Sequence, residues 1–182
     1  MLIGNKVLLP ESALKEIDNA GIEPPFCFEI KTNHNSRTYC GVLEFTSEEG
    51  FIILPDGMMK SLFIQESESL QIRSVKLPLG EHVIFQPHST SLLSSLDNDK
   101  NKMIALLEWV LPKYSTLAMG DTIEVQHGGK IYLLNVIETK PASAISLYAQ
   151  TYLDIKFEFV PALDYVEPQP EKPTNKVVEG VT

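Results

Sequence analysis

TIEVQHGGKIYLLNVIETKPASAISL, residues Thr122 to Leu147, decides how this chain folds. Apolar residues alternate at Ile123 and Val125, the chain reverses at His127-Gly128-Gly129, and a β-rich run follows from Ile131 to Ile137. Two such runs around a Gly-Gly turn predict a hairpin. Pro141 cannot donate to a ladder, so the second arm ends before it, and Ala144-Ile145-Ser146-Leu147 then predicts a third strand of the same sheet.

Upstream, His82 to Gln86 reads as a strand, and the Ser-rich run from His88 to Ser95 as a loop. Asp97, Asn98 and Asp99 offer capping oxygens and negative charge at the start of a helix whose buried stripe is Met103, Leu106, Leu107 and Val110 and which ends near Pro112. Downstream, Tyr152 to Phe159 alternates Leu153, Ile155, Phe157 and Phe159 against polar residues, a strand with one buried face. These elements predict one α/β unit over residues 81–160. From residue 161 to 182, Pro168, Pro170 and Pro173 among charges predict a flexible tail.

Residues 1–80 read as a separate unit. VLLPESALKEI from Val7 and IILPDGMMKSL from Ile52 share Leu-Pro, an apolar pair, a Lys and a final Ile17 or Leu62, at an offset of 45 residues from Pro10 to Pro55. Pro suits the first turn of a helix, so each copy predicts strand, Pro, short helix. Between them lie two β-rich runs, Phe26 to Ile30 and Tyr39 to Phe45. Two copies are too few for a solenoid and predict a small barrel built of two similar halves. The expected core is Val42, Leu43, Phe45, Met59 and Leu62 in this unit, and Leu106, Trp109, Ile123 and Val136 in the other.

The chain has 182 residues, 43% hydrophobic and 21% charged, as an ordered globular protein does. Its net charge of −9, with the basic residues scattered, argues against nucleic acid as a partner. No run resembles a membrane span. Two cysteines are too few for a disulfide scaffold, which points to an intracellular chain with free thiols. Cys27, His34 and Cys40 match no zinc spacing, so no metal or other cofactor is expected. There is no nucleophile elbow, His-Glu-x-x-His or phosphate-cradling loop, and the chain does not read as an enzyme; a barrel enzyme of unknown substrate is the alternative.

A set of ordered short motifs nevertheless resembles a known family. Leu9-Pro10-x-Ser12-Ala13-Leu14, Cys40-Gly41-Val42-Leu43-Glu44-Phe45 with Glu49-Gly50, Leu54-Pro55 with Met58-Met59 and Leu62, Gln86-Pro87, Gly120-Asp121, Glu138-Thr139-Lys140-Pro141 and Tyr165-Val166-Glu167-Pro168 are similar to the N-terminal domain of the ubiquitin fusion degradation protein 1 family. The half from Gly120 to Pro141 is also similar to the N-terminal domain of the valosin-containing AAA ATPase. The resemblance implies mixed β structure with short helices, a double-psi β-barrel followed by an α/β roll. It implies a module that binds ubiquitin and ubiquitin chains and recruits substrates to that ATPase for proteasomal and endoplasmic-reticulum-associated degradation. It implies a cytoplasmic location, with the nucleus and the cytosolic face of the endoplasmic reticulum as further sites. The family's contacts to the ATPase and to the nuclear protein localisation cofactor lie in a tail that the sequence to Thr182 is expected to lack, as it is expected to lack one strand that family members carry before the residues matching Asn5. An alternative is an adaptor holding a peptide motif in the groove between the units.

Ubiquitin offers an apolar patch rimmed by basic side chains, so its receptor should present exposed apolar residues beside carboxylates. Phe85, Pro87, Leu92 and Leu93 next to Asp97 and Asp99 meet that pattern in the sequence; the acidic turn at Glu48 and Glu49 is the second candidate patch.

Overall fold

The computed structural model describes residues 2–147 and 154–171, and its first unit is built on the Leu-Pro repeat. Strand β1 (Lys6–Pro10) buries Val7 and Leu9, and Pro10 caps helix α1 (Glu11–Asn19), whose Ile17 is buried. In the second copy Pro55 caps α2 (Asp56–Leu62), with Met58 and Leu62 buried. The strand expected before Pro55 shrinks to one antiparallel bridge, Leu8 to Ile53, with reciprocal N–H···O bonds of 3.0 and 3.1 Å. Leu8 and Ile53 occupy equivalent positions of the two copies, so the repeat units meet symmetrically. Strands β2 (Cys27–Thr32), β3 (Arg37–Ser47) and β4 (Leu70–Val75) complete a sheet of order β1-β3-β2-β4. Its core contains Val7, Leu9, Ile17, Phe28, Ile30, Cys40, Met58 and Leu62. Among the described residues this sheet keeps two edges and does not close into a barrel.

The second unit is a sheet of order β10-β5-β8-β7 covered by helices. The hairpin joins β7 (Thr122–His127) to β8 (Lys130–Lys140) as expected, with Gly128 and Gly129 at φ 56° and 75°, the left-handed values a two-residue turn demands. Strand β5 (His82–Pro87) pairs with β8, and β10 (Lys156–Phe159) lies parallel to β5. The expected third strand is corrected: β9 (Ala144–Ser146) leaves this sheet and pairs with β6 (Thr116–Ala118). The Ser-rich run is also corrected, because α3 (Thr90–Ser95) is a helix with Ser89 accepting a bond from Ser91 N–H as its cap. Helix α4 (Lys100–Val110) is capped by Asp99 and passes into a 3-10 turn at Leu111–Lys113 that contains Pro112. Val83, Phe85, Leu92, Met103, Leu107, Leu117, Ile123 and Leu134 fill this core.

Two expected core residues are surface residues. Leu43 is 48% exposed and Trp109 71%. Val42 and Leu43 are neighbours on a strand, so only one can face inward, and a register shift in the β1–β3 pairing between Val42 and Glu44 leaves Leu43 outside. Trp109 lies two positions from Leu107 in the helix, about 200° around it, with Leu107 inside. Leu62, Ile123 and Val136 are buried, while Val42, Phe45, Met59 and Leu106 are half-buried against the cores. Tyr152 and Leu153 of the expected last strand lie outside the described residues. The start of the expected tail is held: Val160 and Leu163 donate backbone bonds to Phe85 and Pro87, and the Asp164 carboxylate accepts from Thr90 N–H at 2.7 Å. Among the described residues no helix is long and apolar enough to cross a membrane.

Candidate functional site

The first candidate surface does not present its apolar members. Phe85 and Leu92 are fully buried, Pro87 is buried and Leu93 half-buried, because β5 is an inner strand and α3 lays Leu92 on the core. This corrects the expectation of exposed apolar residues between Phe85 and Leu96. Asp97 and Asp99 are exposed but committed: Asp97 pairs with Lys102, which holds its carboxyl below the usual range, and Asp99 caps α4.

The second candidate patch acquires apolar neighbours that the sequence reading missed. Leu8 of β1 has Glu44 beside it on β3 and Ile53 bridged on its other side. Around them Leu43, Phe51 and Ile53 are 48%, 61% and 46% exposed. The turn that returns the chain from β3 carries Glu48 and Glu49, closed by Phe51 N–H to Glu48 C=O at 3.1 Å and Ser47 Oγ to Phe51 C=O at 2.8 Å. Glu49 is oriented by Ser12, whose N–H and hydroxyl both donate to it, at 3.2 and 2.5 Å. Exposed apolar residues and the exposed carboxylates of Glu44, Glu48 and Glu49 thus lie on paired or consecutive stretches of backbone. The adjacent Val42-Leu43 pair, which cannot both point inward on one strand, was the available signal.

The junction of the two units is polar and closely fitted. Asn5 is buried; its Nδ2 donates to Thr116 C=O and Oγ1 at 2.8 and 2.9 Å, and its Oδ1 accepts from Ser115 N–H at 2.8 Å. Gly41 lies so near Ser115 that a Cβ there would sit 2.1 Å from its Oγ. Asp121 accepts from Thr38 Oγ1 at 3.2 Å and from Ala118 N–H at 3.0 Å, and burial pushes its carboxyl up to about 6. On the other side of the junction a groove of about 760 Å³ opens between Pro24, Pro25, Cys27, Val75, Leu79 and Ser146.

His34 is not brought to the two thiols: Cys27 and Cys40 are buried on adjacent strands, whereas His34 is exposed on the β2–β3 turn, 3.6 Å from Glu68. Burial raises both thiols, Cys40 to about 12, which keeps them protonated and unreactive. Among the described residues no three His, Cys, Asp or Glu side chains converge as a metal would require.

Two family models match consecutive stretches of the chain: Ubiquitin fusion degradation protein UFD1, N-terminal subdomain 1, over residues 1–78, and N-terminal subdomain 2 over residues 79–162. The chain is 39% identical over 166 residues to ubiquitin fusion degradation protein 1 of Saccharomyces cerevisiae, covering 91% of this chain and 45% of that protein. It is 35% identical over 178 residues to ubiquitin recognition factor in ER-associated degradation protein 1 of Homo sapiens, covering 97% of this chain and 55% of that protein. The Dictyostelium discoideum homolog is 37% identical over 165 residues. The chain thus spans about half the length of the relatives it matches.

Proposed function

Since the chain belongs to the family of the ubiquitin fusion degradation protein 1 N-terminal domain, we propose that it is a non-enzymatic ubiquitin-binding module, acting in the cytosol to recruit ubiquitylated substrates to the valosin-containing AAA ATPase. The names of its relatives, a ubiquitin fusion degradation protein and a ubiquitin recognition factor, support the ubiquitin part. The symmetric Leu8–Ile53 bridge between repeat copies is what a double-psi arrangement of the first unit predicts, and it supports that finer reading of the fold.

The observation that carries the site assignment is the exposure of Leu43, Phe51 and Ile53 on the same paired stretches of backbone as the exposed Glu44, Glu48 and Glu49. Apolar side chains supply the desolvated centre of such an interface and the carboxylates its rim, where they meet basic side chains and set orientation and encounter rate. The test is a titration of labelled protein with mono-ubiquitin and with ubiquitin chains. Leu43→Ala with Phe51→Ala is expected to weaken binding by about 1–2 kcal/mol, a hot-spot-sized loss, with the fold intact. Unchanged affinity in the folded double variant overturns this placement.

The groove between the units favours a second reading, a partner peptide held there. In that case a Leu79→Glu variant loses partner binding while the Leu43 and Phe51 variant keeps it.

A further inference from the structure

The outward side of the β2–β3–β4 sheet concentrates positive charge in a chain whose total is −9. In the antiparallel register Lys31 stands directly opposite Arg37 on one side and Gln71 on the other. One two-residue step along, Glu29 stands opposite Tyr39 and Arg73. Like charges directly opposite across a ladder are destabilising. Glu29 is the carboxylate within this group and it is already engaged: Arg73 Nε donates to it at 2.9 Å and Arg37 Nη1 lies 4.0 Å away. The Arg73 bond is the main cause holding the Glu29 carboxyl below the usual range, so it stays ionised. Glu68, at the turn end of the sheet, is likewise taken, accepting from Gln65 N–H at 2.8 Å and lying 3.6 Å from His34. Arg37 and Arg73 thus share one buried carboxylate, and with Lys31 they line a concavity of about 440 Å³ together with Glu29, Gln71 and Ile72.

We propose that this face docks an acidic, extended peptide segment of a protein partner, with carboxylates of the segment seated on Lys31, Arg37 and Arg73. Two points of chemistry select that occupant. The cationic rows are one two-residue step apart, about 7 Å, which is also the spacing of successive same-side side chains on an extended strand. Arginine's planar fork pairs with a carboxylate through two parallel bonds, and Glu29 already fixes Arg73 in place. A nucleic acid is disfavoured because three cations neutralise few phosphates and a chain of −9 repels a long polyanion. A short acidic segment feels chiefly the charges within about 8 Å, and in this concavity three cations outweigh the one carboxylate of Glu29. Arg37 stands at the first position of β3, six residues before Leu43, and the proposal does not depend on the ubiquitin reading.

The test uses a fluorescein-labelled ten-residue peptide with alternating glutamates, and the same peptide with glutamines, titrated against the full chain by anisotropy. The variant is Lys31→Gln with Arg37→Gln, which leaves the Arg73–Glu29 pair intact and has its fold checked by thermal melting. Saturable binding of the glutamate peptide, weakened at least tenfold both by glutamine replacement and by the double variant, and retained by the Leu43 and Phe51 variant, is the expected result. Equal binding of the two peptides, unchanged affinity in the double variant, or full displacement by orthophosphate at the same ionic strength overturns the proposal, the last by reducing the face to a simple anion site.

Discussion

Asp121 is a carboxyl group sealed at the junction with hydrogen-bond donors but no ion-pair partner among the described residues. Burial raises it from 3.8 to about 6, so between those values the folded chain holds a proton that the unfolded chain has released. Stability from this group is therefore present below about pH 4, is lost as pH rises towards 6, and stays lost above it, a difference of about 3 kcal/mol at 1.36 kcal/mol per unit. Glu29, held low by Arg73, works in the opposite direction and loses its contribution as pH falls. The comparison that isolates Asp121 is Asp121→Asn, which keeps one oxygen acceptor and removes the charge. Urea unfolding at pH 4, 5, 6 and 7 is expected to show the variant gaining stability on the parent as pH rises and more stable than it at pH 7. Parallel pH profiles of the two proteins would contradict the assignment. Gly120-Asp121 stood out in the sequence as part of a family motif, yet nothing there indicated burial, because the partner Thr38 is 83 residues away.

At the scale of elements, α3 explains what a reading by composition misses. Serines mark loops because their hydroxyls compete for backbone groups. Here that same bonding stays inside the helix: Ser94 donates to Thr90 C=O at 3.1 Å and Ser95 to Leu92 C=O at 2.6 Å, while Ser89 caps the start. The two leucines then supply what hydroxyls cannot, a buried contact. Leu92→Ala is expected to cost about 2–5 kcal/mol as a large-to-small change in a packed core. Leu43→Ala, at an exposed position, should cost about 0.5 kcal/mol or less. Equal shifts in urea midpoint would mean that the burial assigned to one of them is wrong. The β7–β8 hairpin was legible because Gly-Gly and alternation are local signals. The destination of β9 was not, since its three-residue partner β6 begins 28 positions earlier and carries no pattern of its own.

For the whole molecule, the two Leu-Pro copies were legible in the sequence, but not what ties the sheet they build to the rest of the chain. Asn5 reaches residues 110 and 111 positions away, and Gly41 leaves room for Ser115, so the join rests on single residues whose partners lie in the other half. These satisfied, buried contacts predict one cooperative melting transition, with calorimetric and van't Hoff enthalpies in agreement. Asn5→Ala strips three side-chain hydrogen bonds and leaves Ser115 N–H unpaired, a loss of about 3 kcal/mol, and calorimetry should then show the transition broaden or split. The parallel pairing of β10 with β5 matters in a different way once the chain is put under tension. Strand β5 arrives from the first unit at His82, whereas β10 departs at Phe159, the opposite end of the ladder. Traction between the first unit and the segment after Phe159 therefore slides the two strands past each other and strains all their hydrogen bonds together, where the β7–β8 hairpin, pulled at its open end, would unzip one pair at a time. The second unit carries a mechanical clamp at the point where the C-terminal segment leaves it.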